Sequence, residues 1–276
     1  MKNKICFLLL VFLWFPLSET MAQHKNNLRY EVMLSSSMSD SLDNMHFIGC
    51  IDISPDRLIT LATRERIYLL GWGGMTIYGN KADEPISSFA YTFDSLLMVV
   101  KGKSLCYIDS SGIFKELIKL PNPDMGISSG KHVVYLYDRN KADNRYHLYA
   151  YAKGGIYKNI LVSPKPIMSV VEMGDSLYVA AGSSIFSLSP GSGKMNLCAG
   201  LQKDNVILSI TPDIYNDVLY FSLKDAIFAI RNNTVYNVTG DFGGGLTKCF
   251  GHGIVIYNPD TKDITRIVNK DGLAIF

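Results

Sequence analysis

The sequence predicts an all-β protein: a β-propeller of four-stranded antiparallel blades, six in number, with five and seven as the bounds. Three observations carry the prediction. A short apolar phrase returns six times, beginning at Ile67, Leu105, Leu148, Ile185, Ile227 and Ile254, and reads IYLL, LCYI, LYAY, IFSL, IFAI and IVIY. Gly, Asn, Asp and Ser cluster between the apolar runs, as hairpin turns require. Helical spacing of apolar residues never persists for three turns. Small repeated units bury their apolar faces only on one another, so the repeat means a stacked or closed array. A helical solenoid is excluded, and a β-sandwich would not need near-identical units.

The chain opens on a segment outside the fold. Lys2 and Lys4 precede an apolar run at 5–17, and Thr20, Met21 and Ala22 offer small residues for cleavage after Ala22. This is the make-up of a secretory signal peptide over 1–22. The run is too short for a bilayer span, which takes roughly 20 residues, and no later stretch is long and apolar enough to cross. Residues 23–46 read as an N-terminal segment and linker, and 47–276 as a single propeller domain.

The fourth copy shows the plan of a blade. Its apolar runs at 167–171, 177–181, 185–188 and 195–197 are separated by short turns. Four such runs form an antiparallel meander. The second copy repeats it at 86–91, 96–100, 105–108 and 114–120. Counting back eight residues from five of the phrases gives Ile59, Leu97, Leu177, Leu219 and Leu246, all apolar, as starts of second strands. Strands such as LLMVV (96–100) and VVYLY (133–137) do not alternate, which fits burial on both faces. Fourth strands, such as FKEL (114–117) and ITRI (264–267), are more polar and belong on an outer rim. The phrases follow one another at 38, 43, 37, 42 and 27 residues, so the sixth copy is short. Gly243, Gly244 and Gly245 stand where its first strand belongs. Residues 28–34 or 273–276 are the spare segments that could close the ring.

Composition narrows the function. Setting Lys2, Lys4 and Glu19 aside from 27 basic and 25 acidic residues leaves 25 and 24. Wholesale nucleic-acid binding usually needs a strong basic excess. Cys50, Cys106, Cys198 and Cys249 fall singly within apolar strands, and no C-x-x-C pair suggests zinc or redox chemistry. Cys50 with Cys249 could pair as a disulfide across the seam between first and last blades in an oxidising compartment. No nucleophile elbow, metalloprotease helix, phosphate loop or nucleotide fingerprint occurs. The sequence thus offers no catalytic residues, metal ligands or cofactor.

The stretch GIVIYNPDTK (253–262), followed by ITRI (264–267) and DGL (271–273), resembles the propeller repeats of two-component regulators. Those repeats tile the periplasmic sensor halves of hybrid histidine kinases in Bacteroidota. The likeness is strongest over 177–273. The family's second-strand tryptophan is missing, and Tyr178 and Tyr220 stand where an aromatic is expected. The resemblance implies the fold and an exported setting, in the periplasm or at the cell surface. No kinase or DNA-binding segment occurs within these residues, so it carries no signalling activity over.

Loops on a rigid scaffold are the usual place for recognition. In a propeller, second-to-third-strand turns and blade-to-blade connections open on one face. These turns are expected at 64–66, 102–104, 182–184, 223–225 and 251–253, with a longer insertion at 138–145 in the third copy. They bring Arg64, Arg66, Lys103, Arg139, Lys141, Arg145, Lys224 and His252 towards one mouth, against Glu65, Asp138, Asp143 and Asp225. Such a mouth suits an anionic glycan, a carboxylate or an acidic protein loop. Trp72, between glycines in a third-to-fourth-strand turn, is expected on the opposite face. Asp52, Glu172 and His252 are the polar groups nearest the channel. The leading expectation is an exported, non-catalytic propeller that binds a protein or glycan partner. A lactonase-like or lyase-like enzyme acting on a sugar derivative is the second reading, and a stand-alone sensor domain the third.

Overall fold

A computed structural model describes residues 28–34, 45–71, 73–138, 145–152, 155–189, 194–240, 243–250, 253–270 and 275. Residues 1–22, expected to be a signal peptide, lie outside them. The fold is the predicted one: all-β, with six four-stranded antiparallel blades forming a β-propeller.

The first strand, β1 (Leu28–Leu34), belongs to the last blade. Blade 1 follows as β2 (Phe47–Ile53), β3 (Ile59–Thr63), β4 (Ile67–Gly71) and β5 (Gly74–Tyr78). Blade 2 is β6 (Ile86–Tyr91), β7 (Leu97–Lys101), β8 (Ser104–Ile108) and β9 (Phe114–Lys119). Blade 3 is β10 (Gly126–Ser129), β11 (Val133–Tyr137), β12 (Tyr146–Ala152) and β13 (Ile156–Ser163). Blade 4 is β14 (Ile167–Met173), β15 (Ser176–Ala181), β16 (Ser184–Leu188) and β17 (Met195–Gly200). Blade 5 is β18 (Ser209–Asp213), β19 (Val218–Ser222), β20 (Ile227–Arg231) and β21 (Thr234–Thr239). Blade 6 is β22 (Leu246–Phe250), β23 (Gly253–Tyr257) and β24 (Ile264–Asn269), with β1 as its outer strand in the order β1-β24-β23-β22.

The sixth blade departs from the sequence expectation by one strand. The phrase at Ile254 begins the second strand of its blade, whereas the first five phrases lie in third strands. The third strand of blade 6 begins at Ile264, 37 residues after Ile227, and restores the regular spacing. Leu246 opens a first strand, and the three glycines before it form the connection from blade 5. A Cβ at Gly243 would come within 2.3 Å of the Ala226 nitrogen, so only glycine lets that connection pass the turn of blade 5. The ITRI stretch is not rim but buried third strand, because β1 covers it with an antiparallel register from Leu28↔Asn269 to Leu34↔Ile264. The ring is thus closed by 28–34, one of the two spare segments expected to close it. Ile275, near the other terminus, is buried beside Leu28 without forming a strand.

There is no single core. Apolar residues form six layers, one between each pair of neighbouring blades. Successive side chains of a strand point to opposite faces, and both faces are used. On β7, Leu97 and Val99 enter the layer towards blade 1, and Met98 and Val100 the layer towards blade 3. On β19, Leu219 and Phe221 face blade 4, and Val218 and Tyr220 face blade 6. This double burial is why inner strands read as unbroken apolar runs. Rim strands β5, β9 and β17 are largely exposed. Cys198 lies on that rim, only half-buried, whereas Cys50 and Cys106 are buried.

Candidate functional site

Up-and-down strands send alternate turns to opposite faces. One face carries second-to-third-strand turns and blade-to-blade connections, and backbone hydrogen bonds seal the two together. Ala82 and Ile86 donate to the carbonyls of Glu65 and Arg64 at 2.8 and 2.7 Å, and Leu120 donates to Lys103 at 2.7 Å. Ile167 donates to Asp138 at 3.2 Å and Leu201 to Ser183 at 2.9 Å. These bonds give the face its rigidity.

Arg64, Lys103, Arg145 and Lys224 stand exposed on this face and Arg66 half-buried, each at its own blade's turn. Arg139 and Lys141 lie outside the described residues. The acids here are partly engaged. Lys224 pairs with Asp260 at 3.4 Å, across to the second-to-third turn of blade 6, and Glu65 pairs with Lys81 at 2.8 Å. Such exposed pairs contribute little to stability. Asp138 is buried, accepting from Asn122 Nδ2 at 2.9 Å and from the His147 N–H at 3.1 Å, so it holds the base of the insertion. His252 lies outside the described residues. The strands on either side of it, β22 and β23, are the first and second of blade 6 rather than the expected second and third. Trp72 also lies outside the described residues.

The channel is narrow, about 140 Å³, and lined by inner strands. Polar side chains of the inner strands stitch blade to blade. Asp52 accepts from the Tyr91 N–H at 2.9 Å, and Ser88 donates to the Met125 carbonyl at 2.6 Å. Glu172 accepts from the Lys131 N–H at 2.7 Å and from the Tyr135 hydroxyl at 2.5 Å. Ser169 Oγ accepts from the Ile210 N–H at 3.2 Å. Burial, and then the bond to Glu172, push the Tyr135 phenol well above its ordinary range. Asp52 and Glu172 therefore do structural duty. No group of three or more His, Cys, Asp or Glu side chains suited to a metal occurs among the described residues. No helix there is long and apolar enough to cross a membrane.

A second concavity lies on the other face, the one with first-to-second-strand turns. A groove of about 690 Å³ opens between blades 2 and 3. The turn between β6 and β7 supplies Phe93 and Asp94, and the turn between β10 and β11 supplies Lys131 and His132. Tyr107 of β8, Leu117 of β9 and Tyr151 of β12 line it further down. The rings sit where strand alternation puts them. His147, Tyr149 and Tyr151 share the side of β12 that faces blade 2, and Tyr149 stacks on Tyr157 at 4.7 Å. The sequence reading missed this groove. Its one local cue is Phe93, a large aromatic in a turn.

No family model and no curated protein matches the sequence. In fold the chain is similar to the extracellular domain of a candidate hybrid two-component system of Bacteroides thetaiotaomicron, at 13% identity and a TM-score of 0.58, over 86% of this chain and 39% of that one. It spans less than half the length of that domain. It is similar to a gluconolactonase of Xanthomonas campestris, at 11% identity and a TM-score of 0.64, over 77% and 82% of the two chains. An auxiliary nutrient binding protein of Bacteroides thetaiotaomicron is similar at 9% identity and a TM-score of 0.65, over 88% and 76%. Identities this low speak to fold alone, and at that level the chain is a six-bladed β-propeller similar to the extracellular domain of a hybrid two-component system of Bacteroides thetaiotaomicron, as its repeats lead one to expect.

Proposed function

We propose that this chain is an exported binding propeller that recognises a protein or glycan partner through a loop face, without chemistry on it. The face favoured is the one carrying first-to-second-strand turns. One observation carries this reading: the turns of blades 2 and 5 present large apolar side chains to water, with Phe93 79%, Ile214 65% and Tyr215 86% exposed. A turn gains nothing in folding from such side chains, and aromatic anchors of this kind dominate binding energy at interfaces. A nutrient binding protein and the extracellular domain of a two-component system share the fold, which supports a binding role. The basic turns Arg64, Arg66, Lys103 and Arg145 offer the opposite face as the rival surface. Export to the periplasm or cell surface rests on the leader-like segment 1–22.

Co-purification from the native cell tests the reading. The mature chain is expected to begin at Gln23 and to retain its partner. Phe93→Ser with Ile214→Ser and Tyr215→Ser should lose the partner at an unchanged melting temperature. Loss instead on Arg64→Ala with Lys103→Ala and Arg145→Ala would move recognition to the other face. A lactonase-like enzyme is the second reading, favoured by the fold likeness to a gluconolactonase. Stoichiometric calcium or zinc in the purified protein would support it.

A further inference from the structure

We infer that the groove between blades 2 and 3 binds a small amphipathic anion, a molecule with an apolar, ring-bearing body and one anionic head. This goes beyond recognition of a macromolecule by the face, with which it shares only Phe93. The volume, about 690 Å³, falls within the roughly 300–1,000 Å³ of small-molecule sites. The walls are apolar and aromatic: Phe93, Tyr107 and Tyr151 contribute rings from two blades, and Leu117 adds an aliphatic side. A sugar placed there would leave hydroxyls unpaired against these walls, which costs the desolvation of each. An apolar body loses nothing.

The polar groups stand at the lips, and the two lips differ. On the blade 2 lip, Asp94 accepts a hydrogen bond from Thr92 Oγ1 at 2.6 Å within its own turn. On the blade 3 lip, the Lys131 and His132 side chains are exposed and have no hydrogen-bond or ion-pair partner among the described residues. The backbone beneath them is held by the bond from the Lys131 N–H to Glu172, so these donors sit on a fixed turn. An apolar cleft with free donors at one lip fits a carboxylate or sulfonate head on an apolar tail.

Two dyes with nearly the same body test this. One is 8-anilinonaphthalene-1-sulfonate, and the other is N-phenyl-1-naphthylamine, which lacks the sulfonate. Each is titrated into the full folded chain by fluorescence. Both should saturate at one site. Lys131→Gln with His132→Gln should weaken the sulfonate dye roughly tenfold relative to the neutral one, and Asp94→Asn should strengthen it. Phe93→Ser and Leu117→Glu, at exposed positions that folding tolerates, should weaken both dyes. Ile214→Ser with Tyr215→Ser should change neither, which separates this site from the macromolecular surface. An equal response of the two dyes to the Lys131–His132 change overturns the anionic head. Indifference of both dyes to Phe93→Ser and Leu117→Glu, or no saturable binding, overturns the site.

Discussion

At the scale of single residues, polar groups on the inner strands join one blade to the next. Asp52 reaches Tyr91 and Glu172 reaches Lys131, partners 39 and 41 residues away on a neighbouring blade. Sequence spacing brought these carboxylates to the channel but could not show what satisfies them, because the satisfying N–H belongs to another repeat. The groove was illegible for the same reason. Its walls come from several strands and two turns, and each residue is an ordinary apolar or turn residue where it stands. Gly130 tests the stitching. A Cβ there would meet Glu172 Oε1 at 2.4 Å and the Tyr135 ring at 2.7 Å. Gly130→Ala must push Glu172 off its two donors or move the turn. Urea unfolding should show a loss of about 1–3 kcal/mol. Gly73→Ala is the control, since its Cβ would meet nothing within 4 Å, and it should change stability by less than about 0.5 kcal/mol. Equal effects at the two sites would mean that the Glu172 contact does not hold blades 3 and 4 together.

At the scale of elements, five blades were legible because each is contiguous and its third strand lies between two others. Blade 6 misled by one strand because its outer strand comes from the start of the chain. With β1 laid over it, β24 is buried at four of its six positions, close to the fully buried β23 before it. An apolar phrase then marks two successive strands, and apolarity alone cannot say which is second and which third. Polar positions such as Arg266 fit the covered strand through their pairing with Glu31 of β1. The closure carries a stability prediction. Leu28 is buried in the layer between blades 5 and 6 with Ile256 and Ile267, whereas Val32 on the same strand is more than half exposed. Leu28→Ala should lower unfolding free energy by about 2–5 kcal/mol, and Val32→Ala by about 0.5 kcal/mol or less. If both were silent in thermal denaturation, β1 would not be closing the ring in solution.

At the scale of the whole molecule, stability is shared by six interblade layers, and a common chemical weakness runs through four of them. Tyr91 packs between blades 1 and 2, Tyr157 between 2 and 3, Tyr135 between 3 and 4, and Tyr257 between 6 and 1. Burial raises each phenol above its ordinary 10.0, to about 12 for Tyr91 and Tyr257 and further for Tyr135 and Tyr157. In Tyr135 the bond to Glu172 adds to burial, because a phenolate cannot donate to a carboxylate. The folded state thus holds its protons more tightly than the unfolded chain. By linkage, the stabilisation is fully present below pH 10 and drains away as pH rises through 12, since unfolding then releases protons. The melting temperature should stay flat on the neutral side of pH 10 and fall steeply above it, with tyrosinate absorbance from these four rings growing together with loss of β-structure. Tyr91→Phe removes one of the phenols without removing its ring and should move the alkaline midpoint upward. Tyrosinate from the four rings in a chain that still melts at its neutral-pH temperature would show that water reaches the layers in the folded state, and the wedge packing that closes the ring would have to be abandoned.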